Sequence, residues 1–345
     1  MARRMSSISR SNNGEHNLMR IAMWLVLFSR FLVSGAVCQQ VALQENTTLP
    51  VPGRAKNDIE PIDFIVKTNR IECSIDGQRM ADYVFRDDKI LRPYFANVTS
   101  KAGVPLSRNH PPQNDRDATD HDTMHPGVWL AFGDINGSDF WRNQAKIEHV
   151  RFTINPSRNE HAVIFASESR LVDSNAVEIG SLLGRIELLP SDSGWMLIWN
   201  ATFQATNTDL VFGDQEEMGF GARVATPIIE KSGGIITNSD GKLSAKSTWG
   251  QPADWSDYSG TIDGQPVGLT VMASPKNFRR SWWHNRDYGL TVANPFGRAA
   301  MQQGEQSAVT VRRGDSMQLT FGLFAHDKSD FNPKSAYESF VQACQ

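Results

Sequence analysis

Three cysteines in 345 residues are too few for a disulfide scaffold, and none stands in a CxxC or Cys/His spacing that reads as a structural zinc site. Charge of neither sign dominates: 35 Lys and Arg face 38 Asp and Glu, giving a formal charge of −3, which argues against a nucleic-acid binder. Long hydrophobic runs are also scarce. Residues 21–37 approach membrane length but Arg30 interrupts them, so a multi-span protein is excluded and at most one N-terminal anchor remains. No P-loop, GxSxG elbow or HExxH occurs, and GFGAR at 219–223 lacks the GxGxxG pattern of a dinucleotide site.

What is present begins with an export pattern. Residues 1–38 carry Arg3, Arg4, Arg10, Arg20 and Arg30 against Glu15 alone, and the basic part precedes an apolar run, as in a signal peptide or signal anchor. Ser34 with Ala36, or Ala36 with Cys38, supplies the small residues of a cleavage site, and cleavage would lower the formal charge from −3 to −7. The expected location is periplasmic or extracellular, with or without a membrane anchor. Residues 39–60 hold Pro50, Pro52 and Gly53 with little apolar periodicity and read as a flexible linker. The domain then spans 61–345. Within it Cys73 and Cys344 remain, either bonded or as two buried thiols, because spacing does not decide geometry.

Short β-branched runs alternate with turn dipeptides: IECSI before Asp76-Gly77, GIIT before Asp240-Gly241, GTI before Asp263-Gly264, and VTVRR before Gly314-Asp315. Asp-Gly favours hairpins because both central residues accept positive φ. Further strand candidates are EHVRFTI, HAVIFAS, RIELL, WMLIWNATFQA, VGLTVMAS and YGLTVAN, with no amphipathic helices between them, so the sheets are expected to be antiparallel. One helix is expected at the C-terminus, capped by Asn332, with Pro333 in its first turn and Ala336, Phe340 and Val341 on one face. The fold class is therefore all-β, one large antiparallel β-sandwich with a short C-terminal helix. Residues 106–140 stand apart as a long polar stretch rich in His, Pro and Asp, and a long loop in a compact domain is more often functional than accidental.

That stretch holds His110, His121, His125, Asp134 and Asn136, with Trp141 directly after it, a density of imidazoles, carboxylates and indoles within about thirty residues suited to stacking a polar substrate and moving protons on it. A second cluster is Trp282-Trp283-His284-Asn285-Arg286-Asp287-Tyr288; its charged members resist burial unless paired. Between the clusters lie Glu216-Glu217, either solvated or split between Arg223 and a cleft, then Trp249, Asp257 and Tyr258. His121 and His125 are four residues apart and would share a metal on a helix, yet Pro126 and Gly127 argue for a loop.

The run Arg92-Pro93-Tyr94-Phe95, then Asp120-His121 to His125-Pro126, GDINGSDFW, WSDYSGTIDGQPVGLTV and WWHNRDYGLTVANPFG resembles the PmoA-like family of bacterial proteins, a domain of unknown function once labelled as a methane oxygenase subunit. The resemblance covers about residues 60 to 325 and implies a galactose-mutarotase-like supersandwich. It departs from the family where this chain has His121-Asp122-Thr123-Met124-His125 in place of a tighter His-Pro-His-His run. Methane oxygenase activity is unlike this chain, which offers one interrupted apolar stretch where that subunit spans the membrane repeatedly.

Carbohydrate chemistry follows as the first functional expectation: acid-base work on a sugar of epimerase, hydrolase or lyase type. In such a fold a His acts as acid and a carboxylate as base, which points to His121, His125 or His284 and to Asp134, Glu217 or Asp287. Arg92, His110, Asn136, Trp141, Trp249, Asp257, Tyr258 and Trp283 would bind the sugar. A non-catalytic sugar-binding module, a metal-dependent enzyme using His121 and His125, and an exported structural protein are the alternatives. No cofactor is expected in the first reading, a divalent metal in the third. The expected partner is a small carbohydrate, with no nucleic acid.

Overall fold

A computed structural model describes residues 62–345; the expected signal segment and linker lie outside the described residues. In chain order the strands are β1 (Ile62–Val66), β2 (Arg70–Ile75), β3 (Gln78–Val84), β4 (Tyr94–Ala96), β5 (Val128–Phe132) and β6 (Lys146–Arg158). Next come β7 (Val163–Val172), β8 (Glu178–Ser191), β9 (Gly194–Gln204), β10 (Leu210–Phe212), β11 (Met218–Arg223) and β12 (Ile235–Asn238). After the short helix α1 (Ala245–Thr248) follow β13 (Trp255–Ile262), β14 (Gln265–Ala273), β15 (Trp282–Trp283), β16 (Leu290–Asn294), β17 (Val309–Val311), β18 (Ser316–His326) and the helix α2 (Pro333–Ala343).

Two eight-stranded antiparallel sheets result, one ordered β1-β2-β3-β4-β5-β11-β16-β15 and the other β12-β13-β14-β18-β9-β8-β7-β6. Their inner faces interdigitate in one continuous core that includes Phe95, Leu130, Phe132, Trp199, Phe220, Phe321 and Trp283. The architecture is the expected all-β sandwich. Each sheet also buries part of its outer face. Val84, Tyr94, Trp129, Trp141, Leu290 and Val292 pack together outside the first sheet. Met196, Ile198, Met272 and Phe324 pack under Ala336 and Phe340 of α2 outside the second.

The local signals explain most elements. Asp76 (φ 48°) with Gly77 (φ 74°), and Asp263 (φ 50°) with Gly264 (φ 80°), close the β2–β3 and β13–β14 hairpins as expected. Asn332 Oδ1 accepts from the backbone N–H groups of Lys334 and Ser335 and caps α2. Two turns differ from expectation. Asp240-Gly241 leads into α1, and the strand before Gly314-Asp315 pairs with β10 in a separate two-stranded ribbon. In β6 the register against β7 shifts at three places, so this edge strand is repeatedly bulged.

Residues 106–140 are not all loop. They contain β5, which with β11 forms the centre of the first sheet; both are buried at every position, so neither has the polar alternation that marks a half-exposed strand. Among the described residues no helix is long and apolar enough to cross a membrane.

The disulfide alternative is excluded. Cys73 lies in the core between the sheets, Cys344 packs on the outer side of the second sheet, and both are free thiols. Burial pushes the Cys344 thiol up to about 11, which makes it a poor nucleophile at neutral pH. A reducing agent is therefore expected to leave the melting temperature of the protein unchanged; a drop on reduction would show a bond between these residues.

Candidate functional site

The central strands of the first sheet build a platform on its outer face. Gly221 of β11 lies opposite Trp129 of β5 on one side and Val292 of β16 on the other. A Cβ on Gly221 would stand 2.8 Å from the Val292 side chain and 3.3 Å from the Trp129 ring, so glycine is what lets these two close over the strand. Arg223 ends β11 on the same face, because alternate residues of a strand point the same way.

Over this platform two buried guanidinium groups template the polar loop. Arg108 donates to the carbonyls of Ala118 (2.9 Å), Asp120 (2.6 Å), His121 (3.3 Å) and His125 (3.1 Å). Arg92 donates to the carbonyls of Trp141 (2.9 Å) and Met124 (2.6 Å) and to Asn143 Oδ1 (2.8 Å). Burying a cation is costly, and several charge-assisted bonds to otherwise unpaired loop carbonyls offset that cost.

The loop delivers two histidines in different states. His125 stacks on Trp129 with ring centroids 5.1 Å apart and planes 9° from parallel, and its Nδ1 faces Arg223 Nη1 at 3.4 Å. Arginine only donates, so the imidazole proton sits on Nε2. Burial first, and Arg223 second, hold this ring well below the usual histidine range, and it is neutral. His121 is half-exposed and bonds through Nδ1 to Asp120 Oδ2 at 2.7 Å. A carboxylate only accepts, so His121 donates from Nδ1, which in the neutral ring leaves Nε2 as an acceptor. Burial works to raise Asp120, yet its bonds from His121 and Arg223 outweigh this and hold the carboxyl below its ordinary value. Arg223 in turn grips Asp120 at 3.0 Å and lies 4.4 Å from the ring centre of Tyr288. Arg223, Asp120 and His121 thus form a chain in which a buried cation fixes a carboxylate and the carboxylate fixes an imidazole.

Three strand steps from Trp129, on the order of 14 Å away, a second group faces the same side. His284 donates from Nδ1 to the Glu216 carbonyl (3.2 Å) and accepts at Nε2 from Arg286 Nε (2.9 Å), while Arg286 Nη2 binds Glu216 Oε2 at 2.6 Å. Burial, followed by the Arg286 charge, lowers His284 to about 3. Both of its nitrogens are occupied, so it orients Arg286 and has no free proton-transfer position. Glu217 pairs with Arg142 at 2.8 Å. Tyr288 joins the two groups: burial raises its phenol, and the charges of Arg223, Arg286, Asp120 and Glu217 all reach it.

Several expected site residues lie elsewhere. Trp283 and Tyr258 point into the interlayer core; the Trp283 indole donates to the Ala253 carbonyl, and the Tyr258 hydroxyl accepts from the Glu230 N–H. Neither reaches a ligand. Trp141 is fully buried edge-on against Trp129 and His125, and Arg92 is equally enclosed, so both support the loop. Asn136, at φ 54°, bonds Asp209 and Val211, and Asp134 caps Gly137, so these two build a turn. His110 packs edge-on to Tyr94 at the loop entrance. Asp287 is an exposed partner of Lys231. Trp249 lies under the Arg286 guanidinium at 5.5 Å. Asp257 belongs to the second sheet, with His326. Arg223 holds Asp120, whereas Glu216 and Glu217 are held by Arg286 and Arg142.

Sequence reasoning placed Asp120, Arg286 and Tyr288 in the two clusters and named Arg223 as a partner for Glu216 or Glu217, but gave none of the four a catalytic or binding role. The one signal for Arg223 was a cation ending an otherwise small and apolar run. A metal centre does not fit here: among the described residues no three His, Cys, Asp or Glu side chains gather as ligands, and the inward nitrogen of His125 faces a guanidinium.

A sequence profile for a family of unknown function (DUF6807) matches residues 70–340. The chain belongs to that family. No curated protein sequence matches it. Similar solved structures include a galactose mutarotase-like protein from Lactobacillus casei, at 9% identity and a TM-score of 0.34, covering 77% of this chain and 100% of that one. A galactose mutarotase related enzyme from Lactobacillus acidophilus shares 11% identity at a TM-score of 0.35, over 78% and 99% of the two chains. The GH36 alpha-galactosidase from Geobacillus stearothermophilus, solved with stachyose, shares 12% at 0.38, over 72% of this chain and 40% of that one. No residue role is carried over from them to this DUF6807 member.

The buried neutral state of His284 has a consequence for stability. Its folded value of about 3 lies below its unfolded value of 6.5, so the unfolded chain binds a proton first as pH falls. This contribution is complete above the unfolded value and is lost between it and the folded value. His284→Gln is expected to flatten the fall in melting temperature between about pH 6.5 and pH 4. Parallel curves for parent and variant would show that His284 is not held neutral.

Proposed function

We propose that the outer face of the first sheet is a sugar site that moves protons, with His121 as the base and Tyr288 as the acid. The observation that carries this reading is the Arg223–Asp120–His121 chain, which in the neutral ring leaves Nε2 of a half-exposed imidazole free to accept, while the same Arg223 lies over the Tyr288 phenol. Two groups able to pass a proton suit the ring opening of an aldose. His121 Nε2 takes the proton of the anomeric hydroxyl, the bond from the anomeric carbon to the ring oxygen breaks, and Tyr288 gives its proton to that oxygen. Reclosure from the other side returns both protons and yields the other anomer. Arg286, Glu216 and the Glu217–Arg142 pair offer donors and acceptors to the remaining hydroxyls, and Trp249 beneath Arg286 offers an aromatic edge.

Carbohydrate as the ligand class, action outside the cytoplasm on the strength of the N-terminal pattern, and kinship with PmoA-like proteins are parts of this same reading. One observation favours a non-catalytic sugar-binding module: both glutamates of the second group are neutralised by arginines, so neither is a free base.

Anomer interconversion of D-glucose, D-galactose and related aldoses, followed by NMR, tests the reading. The protein is expected to accelerate at least one aldose, and His121→Ala to cut the acceleration by about 10²–10⁴-fold. Sugar binding that survives His121→Ala, with no acceleration by the parent, would leave the binding module. An unchanged rate in the variant would remove His121 from the chemistry.

A further inference from the structure

The outer face of the second sheet carries a polar cluster with no part in the chemistry above. Thr237, Asp257 and Thr270 are cross-strand neighbours in one row, and Ile235, Ser259, Gly268 and His326 in the next. His326 Nε2 lies 3.0 Å from Asp257 Oδ1, and Thr270 Oγ1 donates to the same oxygen at 2.6 Å. The imidazole lies flat on Phe331, with centroids 3.8 Å apart and planes 8° from parallel. A Cβ on Gly268 would stand 2.5 Å from His326 Nε2, so the ring occupies space that only glycine leaves open.

This cluster is built yet incomplete. Asp257 and His326 are 3% and 4% exposed, and such burial is unfavourable for a carboxylate that lacks donors. Oδ1 takes both bonds and Oδ2 accepts none from the described residues, while His326 Nδ1 is buried without a partner. Both side chains line a cavity of about 520 Å³, the size of a small-molecule site. The hydroxyls of Thr237, Ser259 and Thr261 share its lining with the apolar surfaces of Pro266 and Phe331.

We propose that this cavity is a second binding site, separate from the His121 face, for a neutral polyhydroxylated ligand of about monosaccharide size, which donates a hydroxyl to Asp257 Oδ2. The carboxylate oxygen only accepts, so the ligand supplies the O–H. Asp257 repels an anion, and Lys328 in the lining disfavours a cation. Hydroxyls beside an aromatic and a proline surface match the polar edge and apolar face of a sugar-like ring. The two sheets are packed face to face, so this site and the His121 face lie on opposite sides of the sandwich.

Histidine-labelled full-length protein titrated with D-glucose, D-galactose and myo-inositol, followed through the imidazole carbon signals, tests the site; ethanolamine and D-glucuronate serve as charged probes. At least one neutral probe is expected to shift the His326 signal, and to do so equally in His121→Ala. Asp257→Asn is expected to weaken that binding at least tenfold. Ser259→Phe, at a half-exposed position on the cavity wall, is expected to abolish it while the melting temperature stays near that of the parent. The proposal is overturned if no neutral probe moves the His326 signal, if only a charged probe does, or if the shift persists in Ser259→Phe.

Discussion

The contact on which the candidate site depends is the grip of Arg223 on Asp120. Arg223 is fixed by the sheet, since it is the last residue of a central strand whose every position is buried. Asp120 belongs to a loop whose own backbone bonds are short turns such as His121–His125. Joining the two converts strand geometry into loop geometry, and Arg223 brings to the joint a cation that is itself buried, so its charge is screened by water only from the Asp120 side. Arg108 extends the same logic by taking up four loop carbonyls that a strand partner would otherwise satisfy. Without these cations the loop would have neither a register nor a reason to present His121.

The histidines show how environment separates residues of one type into different jobs. His125 and His284 are enclosed, neutral, and committed to guanidinium neighbours, so they shape the site from below. His121 has the same side chain and sits four residues from His125, but an exposed edge and an aspartate partner give it an available nitrogen. Distance along the chain says nothing of this; the direction of each ring relative to the sheet decides it.

Much of the fold was legible because it rests on local chemistry. Asp76-Gly77 and Asp263-Gly264 specify hairpins, and Asn332-Pro333 specifies a helix start, whatever lies around them. The central strands β5 and β11 were not legible, because burial on both faces removes the alternation by which a strand is recognised. The site was half legible for a related reason. Composition located the loop and both histidines, but it cannot tell an indole that faces a ligand from one that fills a core. Trp283 and Tyr258 each neighbour an outward-facing residue and point the other way because strand side chains alternate. Asp257 shows the same effect at larger scale: one residue from Tyr258, it opens on the far side of the molecule.

The repeated bulging of β6 bears on the behaviour of the protein in concentrated solution. This thirteen-residue strand forms one border of the second sheet, and a straight border of that length would present an unbroken row of amide and carbonyl groups to another chain. The three register shifts break that row into short pieces, and Arg151, Arg158 and Glu148 set charge along it. Strand-by-strand addition of a second molecule is thereby discouraged along this border by backbone shape as much as by surface charge.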